Sequence, residues 1–422
     1  MKFSKSGHAL LAAVASIGIG LGITSCGESN TIDYLYVTNS KNNPGQVSVY
    51  RVDLESGALT QIQDSPYSTI GRNPVAEVTS PNGQNLYVLN HDTSDVVEFA
   101  IGTDGKLYSQ HQYSVTASGS NPQAVAINAA GTYLYVVNTF QPSTQTGQTL
   151  TSGPGALVVY PISADGSLGT ALTNTVNGQA LSYWPIGTTP LAVNVTANGN
   201  YVYVVNQVGT SANGASVSEF SVGTGGALTE LAGSPLAVGV SPNAIATDPT
   251  NRFAYITDGA TNQVISFTIS SSGTLTPQNQ SGGLTATGTF PDAITVDPSG
   301  QWVYVANYTS NTISAYAIVG PNGSAGAQGQ LTGLAGAASF STKTGPTCIL
   351  VDPAFGKFVY TSNFLDSSVT GYQLNTNTGV LTGTVNSPYP VSPAGQPTCV
   401  AAITHGNHPG EHVQATAGTG AQ

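Results

Sequence analysis

Short apolar runs bounded by polar turns fill this chain, and one of these runs recurs seven times. Each copy begins with tyrosine, continues with small or β-branched residues and ends with asparagine, or with aspartate in the fifth copy. The copies lie at residues 36–39, 87–90, 135–138, 203–206, 255–258, 304–307 and 360–363, and their tyrosines are 48 to 68 residues apart. Such a period of strand-favouring segments indicates a repeat protein in which each repeat is one small β-sheet.

Further landmarks accompany the tyrosine segments. An apolar run that opens with proline precedes six of the seven tyrosines by 13 or 14 residues, and turn sequences such as residues 297–300 separate the two runs. A third run ends at an aromatic residue, and a glycine two residues before a leucine opens a fourth, as at Gly273 and Leu275. Four strands per repeat and seven repeats predict an all-β fold, a seven-bladed β-propeller of four-stranded antiparallel blades.

Each end of the repeat region lacks a strand that the other end has. Tyr36 has no proline-led run before it, and Pro397 has no tyrosine segment after it. We therefore predict that the C-terminal strand pairs with the N-terminal blade and closes the ring, which removes the open sheet edge. The predicted propeller covers residues 32–404, and residues 405–422 form a flexible tail.

The tyrosine segments, the proline-led runs and the Gly-x-Leu turns together resemble the lactonase-like family of seven-bladed propellers, also known as YVTN-repeat proteins. The resemblance covers residues 32–404. It implies the propeller fold. The family includes lactone hydrolases such as 6-phosphogluconolactonase, cycloisomerases and envelope proteins without a known reaction. Because the shared residues form the blade framework, the resemblance implies no single activity.

The N-terminus has the pattern of a bacterial secretion signal. Lys2 and Lys5 precede an apolar stretch at residues 9–23, which is shorter than the roughly 20 residues of a membrane-spanning helix. The sequence ITSC at residues 23–26 resembles a lipobox, so we expect a lipoprotein signal at residues 1–25, a lipid on Cys26 and a linker at residues 26–31. An ordinary signal peptide followed by a chance cysteine is the alternative. The expected location is the bacterial cell envelope, facing the periplasm or the exterior.

Charged residues make up only 7% of the chain, with 9 basic against 20 acidic residues and a formal net charge of −11. Nucleic-acid binding needs clustered Lys and Arg, which are lacking, so nucleic acid is excluded as a partner. The same scarcity argues against a phosphorylated substrate. We expect a monomer without a cofactor.

Two cysteines follow inner-strand prolines at the same offset. Cys348 and Cys399 occupy a column in which the other five repeats have alanine. Cysteine packs there as a small apolar residue, although a disulfide between neighbouring blades is open as an alternative. Because equivalent side chains of successive blades point the same way round the ring, we favour free thiols.

One blade breaks the repeat with a carboxylate. Glu77 lies three residues after its inner-strand proline, where the other six repeats have valine or isoleucine. Arg72 precedes the same strand, and His91 follows the tyrosine segment of the same blade. If the two loops share a face of the disc, an acid or imidazole to activate water and a cation to hold a carbonyl oxygen form a candidate set for opening a lactone. A structural ion pair between Glu77 and Arg72 is the alternative.

Other polar residues are candidates for binding. Asp292 directly follows an inner-strand proline and is expected near the channel mouth, although a solvated position on the rim is the simpler interpretation. Asp92 begins the sequence DTSD, which lacks the ligand count and glycine of a calcium loop, so no metal site is predicted. Three tail histidines are expected to be solvated: His405, His408 and His412.

Two neighbouring blades have long loops after the tyrosine segment, at residues 139–155 and 207–215. Loops on a rigid scaffold often carry binding, and their polar composition equally fits mobile decoration. The leading hypothesis is a lipid-anchored propeller that binds an unknown small molecule or envelope protein through its loop-bearing face. The alternatives are a lactone hydrolase that uses Glu77, His91 and Arg72 on an uncharged lactone, and a scaffold without a small-molecule site.

Overall fold

The computed structural model describes residues 31–143, 152–208, 214–278, 283–320, 327–334 and 339–404. This part of the chain is built from β-strands and one 3₁₀ turn, Thr224–Gly226. No helix within it has the length and apolar character needed to cross a bilayer.

Alternating apolar segments and turns produce short antiparallel strands throughout. In chain order they are β1 (Thr31–Asn39), β2 (Gln46–Asp53), β3 (Leu59–Gln61), β4 (Tyr67–Ser68), β5 (Pro74–Thr79), β6 (Asn85–Asn90), β7 (Asp95–Ile101), β8 (Leu107–Ser114), β9 (Ser120–Ile127), β10 (Tyr133–Phe140), β11 (Pro154–Pro161), β12 (Asn174–Val176), β13 (Gln179–Leu181), β14 (Trp184–Val195), β15 (Tyr201–Val208), β16 (Ser216–Val222), β17 (Leu228–Glu230), β18 (Leu236–Ala237), β19 (Pro242–Thr247), β20 (Phe253–Asp258), β21 (Gln263–Ile269), β22 (Leu275–Pro277), β23 (Leu284–Ala286), β24 (Pro291–Val296), β25 (Trp302–Asn307), β26 (Thr312–Ile318), β27 (Leu331–Gly333), β28 (Ser339–Ser341), β29 (Pro346–Val351), β30 (Phe358–Asn363), β31 (Ser368–Leu374), β32 (Leu381–Gly383), β33 (Tyr389–Pro390) and β34 (Pro397–Thr404).

These strands form the seven predicted blades, so the all-β propeller fold is confirmed. Blade 1 contains β1 to β4 and β34, blade 2 contains β5 to β8, and blades 5, 6 and 7 begin at β19, β24 and β29. Blades 3 and 4 share β14, whose start pairs with β11 and whose remainder pairs with β15. The long β14 therefore serves as an outer strand of one blade and the inner strand of the next.

The C-terminal strand completes the first blade. β34 pairs antiparallel with β1, with Tyr36 opposite Ala401. The innermost strands β34, β5, β9, β14, β19, β24 and β29 each lie against the next, and β29 lies against β34 again. The predicted pairing of the chain ends is therefore present, and the first strand of every blade faces the centre of the circuit.

The fourth strand differs from the expected single segment. In blades 1, 4, 5, 6 and 7 it consists of two short pieces that pair with the same third strand, as β3 and β4 do with β2. A serine fills the gap between the pieces in three of these blades. In blade 1 the hydroxyl of Ser65 accepts a hydrogen bond from the backbone N–H of Val49 at 2.9 Å, and Ser234 and Ser387 do the same in blades 4 and 7. The side chain thus replaces a missing backbone acceptor, which the apolar pattern does not reveal.

The tyrosine of the repeated segment ties each blade to its neighbour. Its side chain is buried, and in six blades its hydroxyl donates to the carbonyl of a glycine in the adjacent blade at 2.6 to 3.2 Å. The pairs are Tyr36 with Gly105, Tyr87 with Gly166, Tyr203 with Gly273, Tyr255 with Gly329, Tyr304 with Gly379, and Tyr360 with Gly57. The last pair joins blade 7 to blade 1. The hydroxyl of Tyr135 is buried without a hydrogen-bond partner in the described part of the chain.

Two physical constraints favour glycine at this contact, the backbone conformation and the space for a side chain. Gly273 has a φ of +87°, which disfavours residues with a Cβ, and a Cβ there would lie 2.1 Å from a ring carbon of Tyr201. In the same way a Cβ on Gly379 would lie 2.5 Å from the ring of Trp302. The Gly-x-Leu motif therefore marks the place where one blade receives an aromatic side chain and a tyrosine hydroxyl of its neighbour.

Removal of one tyrosine hydroxyl tests this contact. Tyr203→Phe leaves the buried carbonyl of Gly273 unpaired, and we expect it to lower the free energy of unfolding by about 1 to 3 kcal/mol. Tyr135→Phe is the matched control, because it removes a hydroxyl without a partner, and it should cost nothing. Urea unfolding followed by fluorescence measures both variants. Equal losses in the two variants would contradict a stabilising role for the tyrosine–glycine bond.

Candidate active site in the central cavity

The inner strands surround a cavity of about 610 Å³ at the centre of the ring. Every blade contributes the residue that follows its inner-strand proline, and Tyr308 and Phe364 contribute from the loops after β25 and β30. The seven residues are Val75, Gln123, Leu191, Asn243, Asp292, Thr347 and Thr398. The cavity is therefore lined by the column of the repeat whose residues vary in chemistry.

A β-bulge at the start of the inner strand turns this residue toward the cavity. In blade 6, Pro291 pairs with Asn307 and Ala293 pairs with Ala306, so Asp292 is the extra residue between two regular pairs. Blades 2 and 7 have the same irregularity after Pro74 and Pro346. Bulges redirect side chains and are common beside active sites. The proline that marks the strand in the sequence thus also marks the residue that faces the cavity.

The wall of the cavity is almost uncharged. Among the described residues, its two carboxyl groups belong to Glu77 and Asp292, and no lysine, arginine or histidine lines it. Aliphatic side chains such as Val125, Leu191 and Ile294 form much of the surface. A ligand in this cavity would meet apolar surface, a few amide and hydroxyl groups, and two acids.

Asp292 combines burial with access to the cavity. Its surroundings remove water from the carboxylate, and this raises the pKa of Asp292 to about 7. Within the described residues its side chain has no hydrogen-bond partner, and its atoms remain open to the cavity because the residue is only half-buried. The interpretation of Asp292 as a solvated rim residue is therefore corrected: the bulge places it in the cavity wall, where it is poised to exchange a proton near neutral pH.

Gln123 is the second polar side chain that faces the cavity without a bond inside the described part of the protein. It occupies the position of Asp292 in blade 3, three blades away round the ring. By contrast, Asn243 donates to the carbonyl of Pro291 at 3.0 Å, and Thr347 bonds to the carbonyl of Thr398 at 3.2 Å. Gln123 and Asp292 are therefore the wall groups most available to a ligand.

Glu77 is held by the backbone of blade 1. Its side chain is buried, and its Oε1 accepts from the N–H of Thr38 at 3.2 Å, with a further backbone hydrogen bond from Ala401. Its Oε2 is buried without a partner in the part of the chain that the structure describes. Burial raises the pKa of Glu77 well above its ordinary value, and the nearby Cys399 adds to the increase. Glu77 thus joins the second blade to the ring closure.

Arg72 and His91 lie on adjacent loops, as expected, since the N–H of His91 donates to Asn73 at 3.0 Å and that of Asp92 to Arg72 at 3.3 Å. The ring of His91 contacts the carboxylate of Asp92 at 2.7 Å, and this hydrogen bond lowers the pKa of Asp92. No hydrogen bond or ion pair between described residues connects Glu77 with Arg72 or His91. The ion pair considered for Glu77 and Arg72 is therefore not formed. The catalytic role of Glu77, His91 and Arg72 stays a prediction, because Glu77 makes no direct contact with the other two.

Cys348 and Cys399 line the cavity beside Glu77 as free thiols, as favoured. The N–H of Val400 donates to the sulfur of Cys348 at 3.3 Å, and the hydrogen bond between the two thiols raises the pKa of Cys399. The two thiols lie close together, since both approach the carbonyl of Val400, at 3.9 and 3.8 Å. Among the described residues, no three His, Cys, Asp or Glu side chains are placed to hold a metal ion.

Several predicted features lie outside the described residues. These are Cys26 with the signal and linker, the tail at residues 405–422 with its histidines, and parts of the two long loops at residues 144–151 and 209–213.

Comparison with known families shows to which family the chain belongs. A family model described as lactonase, seven-bladed β-propeller, matches residues 28–147 and 208–339. The chain belongs to the lactonase family of seven-bladed β-propellers. No curated protein matches the sequence significantly.

Solved structures share the fold of this lactonase-family propeller at low identity. A periplasmic gluconolactonase from Pseudomonas aeruginosa is 19% identical, with a TM-score of 0.64 and coverage of 88% of this chain and 99% of that chain. A candidate 6-phosphogluconolactonase from Bacteroides fragilis is 18% identical, with a TM-score of 0.65 and coverage of 89% and 98%. Hydrazine synthase from Kuenenia stuttgartiensis is also similar, at 15% identity, a TM-score of 0.53 and coverage of 81% and 95%. These likenesses show the fold alone.

The sequence contains a signal for two of the wall residues that its interpretation missed. The residue after the closing asparagine or aspartate of the tyrosine segment is Ser40, His91, Thr139, Gln207, Gly259, Tyr308 or Phe364. Only the last two are large aromatic rings other than histidine, and these two line the cavity of this lactonase-family propeller. Gln123 has no such signal, because five of the seven residues in the column after the proline are polar.

Two substitutions separate the structural and ionic roles of Glu77. Glu77→Val installs a residue type of the other blades but leaves the N–H of Thr38 without its acceptor, so we expect a loss of about 1 to 3 kcal/mol in the free energy of unfolding. Glu77→Gln retains an acceptor and should fold at every pH tested. Because the pKa of Glu77 is raised in the fold, its contribution is fully present below the unfolded pKa and declines as pH rises through the folded pKa.

Thermal unfolding between pH 5 and pH 9 therefore distinguishes the parent from Glu77→Gln. The parent should lose more stability than Glu77→Gln as the pH rises. Parallel curves for the two proteins would contradict the raised pKa of Glu77.

Proposed function

We propose that this protein hydrolyses an uncharged lactone bound in its central cavity. Membership of the lactonase family and the likeness to two lactonase-type structures support the reaction class. The observation that carries the proposal is the carboxyl group of Asp292, which faces the cavity without a partner among the described residues and has a pKa of about 7. Perturbed acids in cavities are candidates for proton transfer, and a general base works best when its pKa is near the working pH.

The reaction follows from these groups. The carboxylate of Asp292 removes a proton from a water molecule while the water oxygen attacks the lactone carbonyl carbon. The carbonyl oxygen becomes an oxyanion, and the amide N–H of Gln123 and the hydroxyl of Tyr308 are donors in the wall that can stabilise it. The protonated Asp292 then returns its proton to the ring oxygen as the C–O bond breaks. The product is the open hydroxy acid, and the enzyme is restored.

The cavity wall also restricts the substrate. In the part of the chain that the structure describes, two acids and no basic side chain line it, so a phosphorylated lactone would meet carboxyl groups without a cation to pair with. We therefore do not propose the phosphorylated substrate, for which the Bacteroides structure is named, as the substrate of this chain. A neutral lactone needs no such cation.

A second function, binding without turnover, has one observation in its favour. Glu77 bonds to the backbone and makes no direct contact with His91 or Arg72, so the acid, imidazole and cation proposed from the sequence do not converge. On that hypothesis the cavity and the loop-bearing face would hold an unknown small molecule or envelope protein. Asp92, Arg72 and His91 on the rim would then contribute to recognition.

Hydrolysis of a panel of neutral and phosphorylated lactones tests the enzyme. The parent should cleave neutral lactones, with kcat/KM rising as pH increases through about 7 because Asp292 must be deprotonated to act as a base. Asp292→Asn should lower kcat/KM by about 100-fold or more. The matched control is Glu219→Gln, since burial also raises the pKa of Glu219 to about 7 but Glu219 does not line the cavity.

The control should keep the activity and the pH profile of the parent. Undiminished hydrolysis by a folded Asp292→Asn variant would contradict the role of Asp292. Lactone binding without turnover in the parent, detected as a raised unfolding temperature, would support the binding function instead.

We also propose that the chain is a lipoprotein of the bacterial cell envelope. The lipobox-like residues 23–26 support lipid attachment at Cys26, and the Pseudomonas relative is described as periplasmic. Membrane lipid would be the partner of the N-terminus, and the propeller would work as a monomer.

Metabolic labelling with a radioactive fatty acid during expression in bacteria tests this. The parent should carry the label and sediment with membranes, whereas Cys26→Ser should lose both properties. Labelling of the Cys26→Ser variant would contradict the assignment.

A further inference from the structure

Apolar side chains form an arc on one side of the cavity mouth. The arc consists of Phe290, Tyr308, Phe364 and Leu365, which belong to the loops of blades 6 and 7. Tyr308 and Phe364 line the cavity itself, whereas Phe290 is 37% and Leu365 57% exposed to solvent. Large apolar side chains exposed in a continuous group, rather than singly, mark binding surfaces.

Contacts between these side chains make the arc continuous. The rings of Phe290 and Tyr308 meet edge to face with centroids 6.1 Å apart, and the N–H of Tyr308 donates to the carbonyl of Phe290 at 2.8 Å. Leu365 and Tyr308 both approach Gly345, where a Cβ would lie 3.0 Å from Leu365 and 3.1 Å from Tyr308. The N–H of Phe364 donates to the carbonyl of the same glycine at 2.8 Å. Gly345 therefore lets the loops of blades 6 and 7 close up into one surface.

The arc lies directly above the proposed base. Phe290 precedes Pro291 and Asp292 in the chain, and Tyr308 follows Asn307, the residue paired with Pro291. Tyr308, Phe364 and Asp292 line one cavity. A ligand that places a reacting carbonyl beside Asp292 can therefore extend outward over the aromatic rings of Tyr308 and Phe364.

The part of the rim formed by blade 2 has a different character. In blade 2 the equivalent loops carry Arg72, His91 and Asp92, which are charged or polar and exposed or half-buried. The two sides of the opening thus distinguish an apolar part of a ligand from a polar part. Ligand sites combine such apolar surface with a few polar groups that fix orientation.

We propose that the substrate is a neutral lactone that bears an apolar acyl or aryl substituent, with the lactone ring beside Asp292 and the substituent on the arc. This inference rests on the proposed hydrolase function and names its substrate class. An unsubstituted sugar lactone would occupy the cavity but leave Phe290 and Leu365 in contact with water. Burial of a substituent removes apolar surface from water on both partners, which is where the added affinity arises.

Binding of non-hydrolysable lactams tests the substrate class separately from catalysis. The probes are a five-membered lactam that carries an octanoylamido chain and the same ring with an acetamido group, titrated calorimetrically into residues 27–422. The longer chain should lower Kd at least about tenfold, since each buried methylene adds affinity. Leu365→Ser should remove most of this advantage, because Leu365 is the most exposed member of the arc and the substitution takes away apolar surface that the chain would cover.

Ile70→Ser is the matched control. Ile70 is 50% exposed and lies in a loop of blade 2 on the same side of its inner strand, away from the arc. This variant should keep the full advantage of the longer chain. Equal Kd values for the two lactams in the parent, or equal losses in Leu365→Ser and Ile70→Ser, would overturn the proposal.

The failures of the two proposals are distinguishable. If the long-chain lactam binds through Leu365 but no lactone is cleaved, the arc is a ligand site and the hydrolase function fails. If short and long lactones are cleaved equally and Leu365→Ser cleaves both like the parent, the hydrolase stands and the apolar substituent is wrong.

Discussion

The hydrogen bond from a buried tyrosine to a glycine carbonyl of the neighbouring blade is the contact on which the ring depends. A buried hydroxyl and a buried carbonyl are each costly without a partner, so the pair fixes the distance between two blades. Six of these bonds connect the blades, and the bond from Tyr360 to Gly57 joins the last blade to the first. The same glycine accommodates an aromatic or polar side chain of the neighbour, such as Trp302 on Gly379. One motif thus sets spacing, packing and closure.

Because all blades share this framework, we look for functional residues at the positions where the blades differ. The bulge after the inner-strand proline turns one residue per blade toward the cavity, and the framework does not fix the chemistry of that residue. In blade 6 this residue is Asp292, and in blade 3 it is Gln123. The apolar walls that exclude water around Asp292 also raise its pKa to about 7. The proposed chemistry is therefore a consequence of placing an acid at a position where the other blades have apolar or uncharged polar side chains.

Much of the fold was predictable because its landmarks repeat with the blades. The tyrosines, the inner-strand prolines and the Gly-x-Leu turns each mark a strand, and the unmatched strand at Pro397 indicated the closure with β1. The division of the fourth strand was not predictable from apolar alternation, because the hydroxyl of Ser65 supplies a bond that a backbone group normally makes.

The candidate site was less predictable, because it depends on contacts between blades that are distant in sequence. Glu77 was singled out correctly as an acid in an apolar column, but its partners Thr38 and Ala401 belong to the closing blade. Asp292 was found by its position, yet the degree of its burial depends on side chains from all seven inner strands. The aromatic residues Tyr308 and Phe364 follow the tyrosine segment and could have been found by comparing that column.

The most direct test of the account is a titration of Asp292 in the free protein. Aspartate labelled with ¹³C at the side-chain carboxyl would be followed by NMR from pH 4 to pH 9, and the signal absent from Asp292→Asn would identify the residue. We expect the carboxyl signal of Asp292 to titrate near pH 7, because the cavity wall keeps water away from the carboxylate. A transition near pH 4, the value of a solvated aspartate, would contradict the claim that the ring converts this acid into a base suited to neutral pH.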